Sequence, residues 1–340
     1  MSAPAAGSAG VAAGALDASA MMRAPFPWFG GKSRAAEAVW AAIGADVRSY
    51  VEPFAGSCAV LLGRPGGAQG VETVNDRDGH LVNVWRSIAW SPDETARWAD
   101  WPVTEADLTA RHLWLVERTE TIREAVAADP TWHDAQAAGW WLWGIAGWIG
   151  SGWCSGDGPW GRDGLRVVNG DAGRGVHRQL PHLGDAGRGV HRLAPTLEWM
   201  RALSSRLRRV RIAQGDWSRV VSGSAVGPGA FPAGSPVGVF LDPPYPEAWS
   251  ADAAYAGQDG CVDALWRDVT TWAAEQGERP DRRIVVAGYD GTWAPPAGWR
   301  TTTWAPRKGY ATHEARQRER LWCSPHCLGA RQGGLFGGAR

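Results

Sequence analysis

The sequence has very little lysine and no cysteine pattern that would organise a fold. Lysine occurs only at Lys32 and Lys308, so arginine carries almost all of the positive charge. The five cysteines are scattered and lack paired C-x-x-C spacing, which argues against a disulfide framework and against a zinc site. The formal net charge is zero, so any nucleic-acid partner would have to be bound by a local basic patch.

Long apolar segments are also missing. No run of about 20 apolar residues is free of glycine and charge. Residues 1–22 are rich in Ala, Gly and Ser but lack the basic start and the apolar core of a secretory signal. We therefore expect a soluble, cytoplasmic protein without membrane contact, preceded by a disordered lead-in over 1–22. A chain of 340 residues can hold one large α/β domain with an insertion, or two modest domains.

The most informative stretch is Asp242-Pro243-Pro244-Tyr245, which follows the apolar run 237–241. This run indicates a buried strand, and open α/β sheets place their ligands at the carboxyl ends of such strands. The two prolines stiffen the backbone and leave nearby carbonyls without a partner in the sheet. Asp242, the carbonyl of Pro243 and the Tyr245 ring would therefore suit an exocyclic amine on a flat heteroaromatic ring. The alternative is a proline-rich turn after a core strand.

Residues 47–62 have the pattern of a strand, a loop of small residues and a helix, in which Gly56 permits a tight turn beneath a ligand. A second strand, predicted over 72–75, ends in Asp76. A carboxylate at this position can accept hydrogen bonds from both hydroxyls of a ribose. Asp76 could also cap the helix predicted over 79–88, and both roles could coexist.

The segment Trp28-Phe29-Gly30-Gly31-Lys32 places two glycines and a lysine before a helix predicted over about 33–43. Gly30 and Gly31 would let the backbone approach a ligand closely, and Lys32 could meet a carboxylate or a phosphate. The alternative is an N-terminal loop that is packed by its aromatic side chains.

These motifs, taken together, resemble those of Dam-type DNA adenine-N6 methyltransferases, and they occur in the order found in that family. The five motifs are Trp28-Phe29-Gly30-Gly31-Lys32, Glu52-Pro53-Phe54-Ala55-Gly56-Ser57, Asn75-Asp76, Gly215-Asp216-Trp217 and Asp242-Pro243-Pro244-Tyr245. The resemblance extends from about Ala24 to Tyr245. It implies an α/β fold with a Rossmann-like class I methyltransferase sheet, and S-adenosylmethionine as the cofactor.

The resemblance also implies roles for individual residues. Asp76 would hold the ribose of the cofactor, Asp216 would meet the amino group of its adenine, and Asp242, Pro243 and Tyr245 would be catalytic. The cofactor-binding candidates are Trp28, Gly30, Lys32, Glu52, Phe54, Gly56, Asp76, Asp216 and Trp217. One position departs from the family, whose glycine turn often reads Phe-x-Gly-x-Gly, because Cys58 stands at the last position. We expect that side chain to crowd the methionine part of the cofactor.

The chain is predicted to divide into a core at 23–90 and 194–330, a mainly helical and irregular target-recognition insertion at 91–193, and a tail at 331–340. In the insertion, tryptophans at helical spacing are expected in a core, whereas Trp153 on a glycine-rich loop could wedge into a duplex or stack on a base. A nine-residue segment at 170–178 recurs at 184–192. Its arginines could contact phosphates, or it could be a mobile surface loop; they are Arg174, Arg178, Arg188 and Arg192.

The local charge favours phosphate contacts by this repeated segment. Residues 150–220 contain 12 arginines and six acidic residues, an excess of six positive charges. Near the C-terminus, a hairpin is predicted from strands at 299–304 and 318–323. Arg307 and Lys308 in its connection could close over the substrate or belong to a solvated turn. Double-stranded DNA is the expected partner, and the sequence leaves the oligomeric state, the recognised site and the biological context open.

The expected reaction is direct transfer of a methyl group to adenine N6 of a base flipped out of the duplex. This direct transfer needs no covalent intermediate. A carbon-5 cytosine methyltransferase would instead require a cysteine nucleophile, and none of the five cysteines lies beside Asp242 in the sequence. Three alternatives remain from the sequence alone. They are a cytosine-N4 methyltransferase, a methyltransferase acting on RNA or another amine, and a non-catalytic nucleic-acid-binding protein with a degenerate site.

Overall fold

Seven strands form one mixed sheet in this computed structural model. The structure describes residues 22–28, 31–102, 104–148, 153–154, 160–163, 166–169, 193–222, 235–246, 261–303 and 319–329. A separate two-stranded ribbon pairs β3 (Trp160–Asp163) with β4 (Arg166–Asn169). The strands of the large sheet are β1 (Ser49–Glu52), β2 (Val71–Asp76), β5 (Val210–Gln214), β6 (Val237–Leu241), β7 (Arg282–Tyr289), β8 (Arg300–Thr303) and β9 (Glu319–Cys323).

The order across the sheet is β5-β2-β1-β6-β7-β9-β8. All neighbouring strands are parallel except at β9, which runs antiparallel to β7 and to β8. The direction in which the chain adds strands reverses between β1 and β6, and open α/β sheets bind ligands at the carboxyl ends of the strands at such a point. The predicted Rossmann-like α/β fold is therefore confirmed, and the β8–β9 pair is the predicted terminal hairpin.

Helices cover both faces of the sheet within the described residues. In β7, Ile284 and Val286 pack into one hydrophobic cluster, while Val285 and Ala287 pack into another. Side chains alternate between the faces of a strand, so β7 is buried on both sides, as expected for a central strand of a parallel sheet. The helices are α1 (Ala36–Ile43), α2 (Ala59–Leu62), α3 (Gly79–Trp90), α4 (Pro92–Ala99), α5 (Glu105–Glu117), α6 (Thr119–Ala128), α7 (Ala135–Gly147), α8 (Leu193–Leu207) and α9 (Cys261–Gly277).

The four helices α4–α7 lie in the range predicted for the insertion. Helix α7 packs on α3, α4 and α5, and α4 also packs on α8, so these helices share a hydrophobic core with the helices of the sheet. Trp141 and Trp143 of α7 are buried there, which confirms that the helical tryptophans belong to a core. Phe26 contacts the rings of both Trp85 and Trp141, and it ties the N-terminal segment to both groups of helices. Among the described helices, none has the length and apolarity to span a bilayer.

Candidate active site

The acidic candidates and the glycine turn lie at the carboxyl ends of the parallel strands, and we call this side of the sheet its carboxyl edge. The segment containing Phe54 and Gly56 follows β1, Asp76 ends β2, Asp216 follows β5, and Asp242 follows β6. These strands are parallel, so their carboxyl ends lie on the same side. Four segments that are far apart in the sequence therefore meet around the point where the strand order reverses.

Asp76 is bound to the backbone of the neighbouring turn. Its two carboxylate oxygens accept hydrogen bonds from the Gly56 N–H and the Asp78 N–H, each at 3.0 Å. Burial raises the pKa of Asp76 to about 6, although these backbone N–H groups act in the opposite direction. Capping of α3 falls to Asp78, whose side chain accepts hydrogen bonds from His80 N–H and Leu81 N–H, so the predicted capping role of Asp76 is corrected.

Asn75 is a residue of this edge whose importance was missed from the sequence. Its side-chain N–H groups donate to the carbonyls of Pro53 and Gly215, both at 3.0 Å. The Asn75 amide thus joins the turns that follow β1 and β5, and it is buried. A polar residue next to Asp76 at the end of a buried strand is the signal that could have identified it.

Two observations show why position 56 must be a glycine. Its φ is +47°, a left-handed conformation that favours glycine, and a Cβ there would lie 2.5 Å from Nε1 of Trp28. The indole of Trp28 therefore lies directly against the turn, and its role in binding the cofactor remains a prediction. On the other side of this turn, the Trp85 indole N–H donates to the Gly56 carbonyl at 2.9 Å.

Cys58 does not crowd an open cleft, which corrects the expectation from the sequence. It is fully buried in the hydrophobic cluster beneath the turn, so it presents no surface to a solvent-accessible ligand. Its φ is +50°, a left-handed conformation that costs a non-glycine residue about 1–2 kcal/mol. Burial also raises the pKa of the Cys58 thiol well above its usual value.

Phe54, Trp217 and Asp216 form the part of the edge near β5. The rings of Phe54 and Trp217 are stacked, with centroids 6.1 Å apart and an interplanar angle of 26°. Asp216 caps the short 3-10 helix Trp217–Val220, and its Oδ1 accepts hydrogen bonds from the Ser218 N–H and hydroxyl. An aromatic pair therefore lies beside a carboxylate that can accept hydrogen bonds, although Trp217 is largely buried.

Glu52 is buried at the end of β1. Its Oε2 accepts hydrogen bonds from the Tyr50 hydroxyl and from the Leu61 N–H, each at 3.1 Å, so this carboxyl group anchors the start of α2. Burial raises the pKa of Glu52 to about 8. These contacts give Glu52 a role in holding the turn, and a role in binding the cofactor remains a prediction.

Asp242 lies in a compact polar cluster at the end of β6, directly before the buried Pro243. Its Oδ1 accepts a hydrogen bond from the Tyr245 hydroxyl at 2.9 Å and lies 3.2 Å from Nζ of Lys32. The Tyr245 ring makes edge contacts with Tyr289 and Trp266, with centroids 4.7 and 5.9 Å away. Lys32, which the sequence suggested as a cofactor ligand, is thus placed beside the catalytic candidate.

Trp153 packs against the helices of the insertion. Its indole N–H donates to the Trp141 carbonyl at 3.1 Å, and its ring contacts His112 and Trp148. In this position it is a packing residue, which differs from the exposed wedge that the sequence suggested. The other DNA-binding candidates and one cofactor candidate lie outside the described residues: Arg174, Arg178, Arg188, Arg192, Arg307, Lys308 and Gly30.

Residues 28–99 match the family model described as D12 class N6 adenine-specific DNA methyltransferase. The matched part contains Trp28, the turn at Gly56 and Asp76, and it ends before β5 and β6. No curated protein sequence matches the chain significantly. The match confirms the resemblance that the sequence motifs indicated. Lys32 lies inside the matched part, whereas its partner Asp242 lies outside it.

Proposed function

We infer from the match over residues 28–99 that this chain is a D12-class DNA adenine-N6 methyltransferase, and we propose that it acts on a base flipped out of double-stranded DNA. The methyl donor is S-adenosylmethionine. The observation that carries the proposal is that Asp242 and the bonded pair Gly56–Asp76 follow neighbouring parallel strands at their carboxyl ends, because β1 lies between β2 and β6. The matched family acts on adenine N6, which favours adenine over the cytosine amine that the sequence left open.

The residues of the turn fit the cofactor. The Asp76 carboxylate provides acceptors for ribose hydroxyls, and the close backbone approach at Gly56 needs a residue without a side chain. Phe54 and Trp217 offer a flat surface to the adenine ring, with Asp216 as an acceptor for its amino group. When bound, the cofactor supplies an electrophilic methyl group on its sulfonium centre.

The cluster after β6 would orient the target amine. The lone pair of an aromatic amine is delocalised into the ring, so the amine is a weak nucleophile. Hydrogen bonds from N6 to Asp242 and to the Pro243 carbonyl would favour a pyramidal nitrogen whose lone pair points at the methyl group. Tyr245 would pack against the flipped base, which costs a few kcal/mol to extrude. Arg174, Arg178, Arg188, Arg192, Arg307 and Lys308 remain proposed phosphate contacts.

Nucleoside analysis tests the proposed reaction. The protein is incubated with S-adenosylmethionine and either duplex DNA or RNA of matched sequence, and the digested nucleosides are separated and weighed. We expect N6-methyladenine in the duplex DNA alone. If only N4-methylcytosine were formed, or if methylation were confined to RNA, the substrate assignment would be wrong. Sequencing of the methylated DNA would then identify the recognised site.

Replacing Asp76 by asparagine should weaken cofactor binding and remove its pH dependence. Hydrogen bonds to a charged group contribute about 1.5–3 kcal/mol, so we expect the Kd for S-adenosylmethionine to rise by about 10- to 100-fold. Burial raises the pKa of Asp76 to about 6, so the ionised acceptor is present above that pH and is lost as the pH falls through it. In the wild type, the Kd should therefore rise between pH 7 and pH 5.

Calorimetric titration of the wild type and of Asp76→Asn with S-adenosylmethionine, at about pH 7 and about pH 5, measures both the loss of affinity and its pH dependence. Asp93→Asn is the matched control, because Asp93 is a surface carboxylate whose partner is Arg201. If the Asp76→Asn protein kept the pH dependence of the wild type, Asp76 would not be the group that titrates.

A further inference from the structure

A buried lysine contacts the proposed catalytic carboxylate. The side chain of Lys32 is 5% exposed, whereas that of Asp242 is 19% exposed, so Asp242 reaches the surface while Lys32 lies behind it. The Lys32 ammonium is also 5.2 Å from the centroid of the Tyr245 ring. Burial lowers the pKa of Lys32, but the carboxylates of Asp242 and Glu319 outweigh that effect and leave it raised. The ammonium is therefore a permanent charge at neutral pH.

Glu319 is the second carboxylate near this ammonium. It is the first residue of β9, where it pairs with Tyr289 at the end of β7, and the antiparallel direction of β9 brings it to the carboxyl edge. Its Oε2 is buried and has no hydrogen-bond partner among the residues that the structure describes. Burial raises the pKa of Glu319, Asp242 adds to that rise, and Lys32 opposes it. Asp242 and Glu319 thus both act on Lys32, from two different strands.

The geometry at Asp242 separates its two oxygens. Both the Tyr245 hydroxyl and the Lys32 ammonium bind Oδ1. Across the described part of the chain, no group of the protein donates to Oδ2. A hydrogen bond and an ion pair on the same oxygen restrain the carboxylate, and Oδ2 is then the oxygen that can accept a hydrogen bond from an incoming amine.

We propose that Lys32 and Glu319 are positioning residues for Asp242, in which Lys32 holds Oδ1 and Glu319 offsets the buried charge and retains Lys32 in that place. This inference rests on the proposed function, because it deepens the role of the same site. It also reassigns Lys32 from the cofactor to the carboxylate that orients the target amine. Lys32 would then act on Oδ1 directly, and Glu319 would act on it through Lys32.

The effect of both carboxylates on the pKa of Lys32 can be measured directly, because the chain contains only two lysines. Lysine labelled with carbon-13 at Cε should give two side-chain NMR signals, and Lys308→Arg assigns the one that belongs to Lys32. Glu319→Gln removes a charge while it keeps the shape of the side chain. We expect the pKa of Lys32 to fall by about one unit or more in Glu319→Gln and in Asp242→Asn. The pKa of Lys308 should stay the same and serves as an internal control.

The kinetic arm uses the same protein with duplex DNA. Glu319→Gln and Lys32→Met should lower kcat by about 10- to 100-fold, because a small misplacement of an orienting group has effects of that size. The Kd for S-adenosylmethionine should change by less than about twofold, and Lys32→Arg should recover part of kcat. The alkaline limb of the kcat profile should move to lower pH in Glu319→Gln, since Lys32 then loses its proton more easily.

The outcomes are distinguishable. If the wild type forms no N6-methyladenine, the proposed function fails, and the positioning role fails with it. If the wild type is active but both variants retain its kcat and its pH profile, only the positioning role is rejected. An unchanged pKa of Lys32 in Glu319→Gln would reject the electrostatic effect of Glu319 on Lys32, whatever the activity.

Discussion

Replacing Asp242 by alanine is expected to lower kcat for methyl transfer at least about 1000-fold and to change the Kd for S-adenosylmethionine by less than about twofold. Removing one preorganised hydrogen-bonding group from an active site costs about 100- to 1000-fold in kcat. Here the loss should reach or exceed the upper end, because Asp242 is also the partner of the buried ammonium of Lys32. Gly56 and Asp76, which we propose bind the cofactor, are hydrogen-bonded to each other, so we expect them to keep their positions when the Asp242 side chain is removed.

Asp242→Asn separates the loss of the hydrogen-bond acceptor from the loss of the negative charge. Asparagine keeps an acceptor oxygen for the target amine but lacks the charge that pairs with Lys32, so we expect it to retain more activity than alanine. Asp46→Ala is the control, because it removes an exposed carboxylate that pairs with Arg283 at the opposite edge of the sheet. Single-turnover rates with saturating cofactor measure the chemical step. A rate for Asp242→Ala within tenfold of the wild type would remove Asp242 from the mechanism.

The parts of the site that follow from local sequence were predictable. Strand-ending motifs such as Asp76 and Asp242 could be placed at one edge, because parallel strands that are joined by helices share the direction of their carboxyl ends. The same argument predicted the turn at Gly56. In these cases the spacing along the chain and the backbone preference of each residue type carry the information.

The contacts between distant segments could not be predicted in this way. Lys32 and Asp242 are 210 positions apart in the sequence, so their ion pair depends on how the N-terminal segment lies across the finished sheet. The pattern around Cys58 showed the missing glycine but not the direction of the side chain, which the left-handed backbone turns into the core. The prediction for Trp153 was wrong because a glycine-rich sequence does not show whether the indole N–H donates a hydrogen bond to a distant carbonyl.

The largest predicted loss of stability concerns Glu72, which lies near the other end of the sheet. Glu72 is 1% exposed and pairs with two buried arginines, Arg64 and Arg206. Arg64 also donates to the Val47 carbonyl, and Arg206 donates to the Leu61 carbonyl. Glu72 therefore connects β2 both to the segment after α2 and to α8, which is 134 residues away in the sequence.

Glu72→Ala should reduce the free energy of unfolding by about 3–5 kcal/mol, because it leaves two guanidinium groups buried without their counter-charge. Glu72→Gln keeps the hydrogen-bond acceptor and should lose less. The control is Asp93→Ala, which breaks the surface pair with Arg201, where the side chains are 38% and 60% exposed, and should cost about 1 kcal/mol or less. Denaturant unfolding of the three variants and the wild type measures the differences. If Glu72→Ala lost no more stability than Asp93→Ala, the buried triad would contribute nothing beyond a surface pair, and the connection of α8 to the sheet would depend on apolar packing alone.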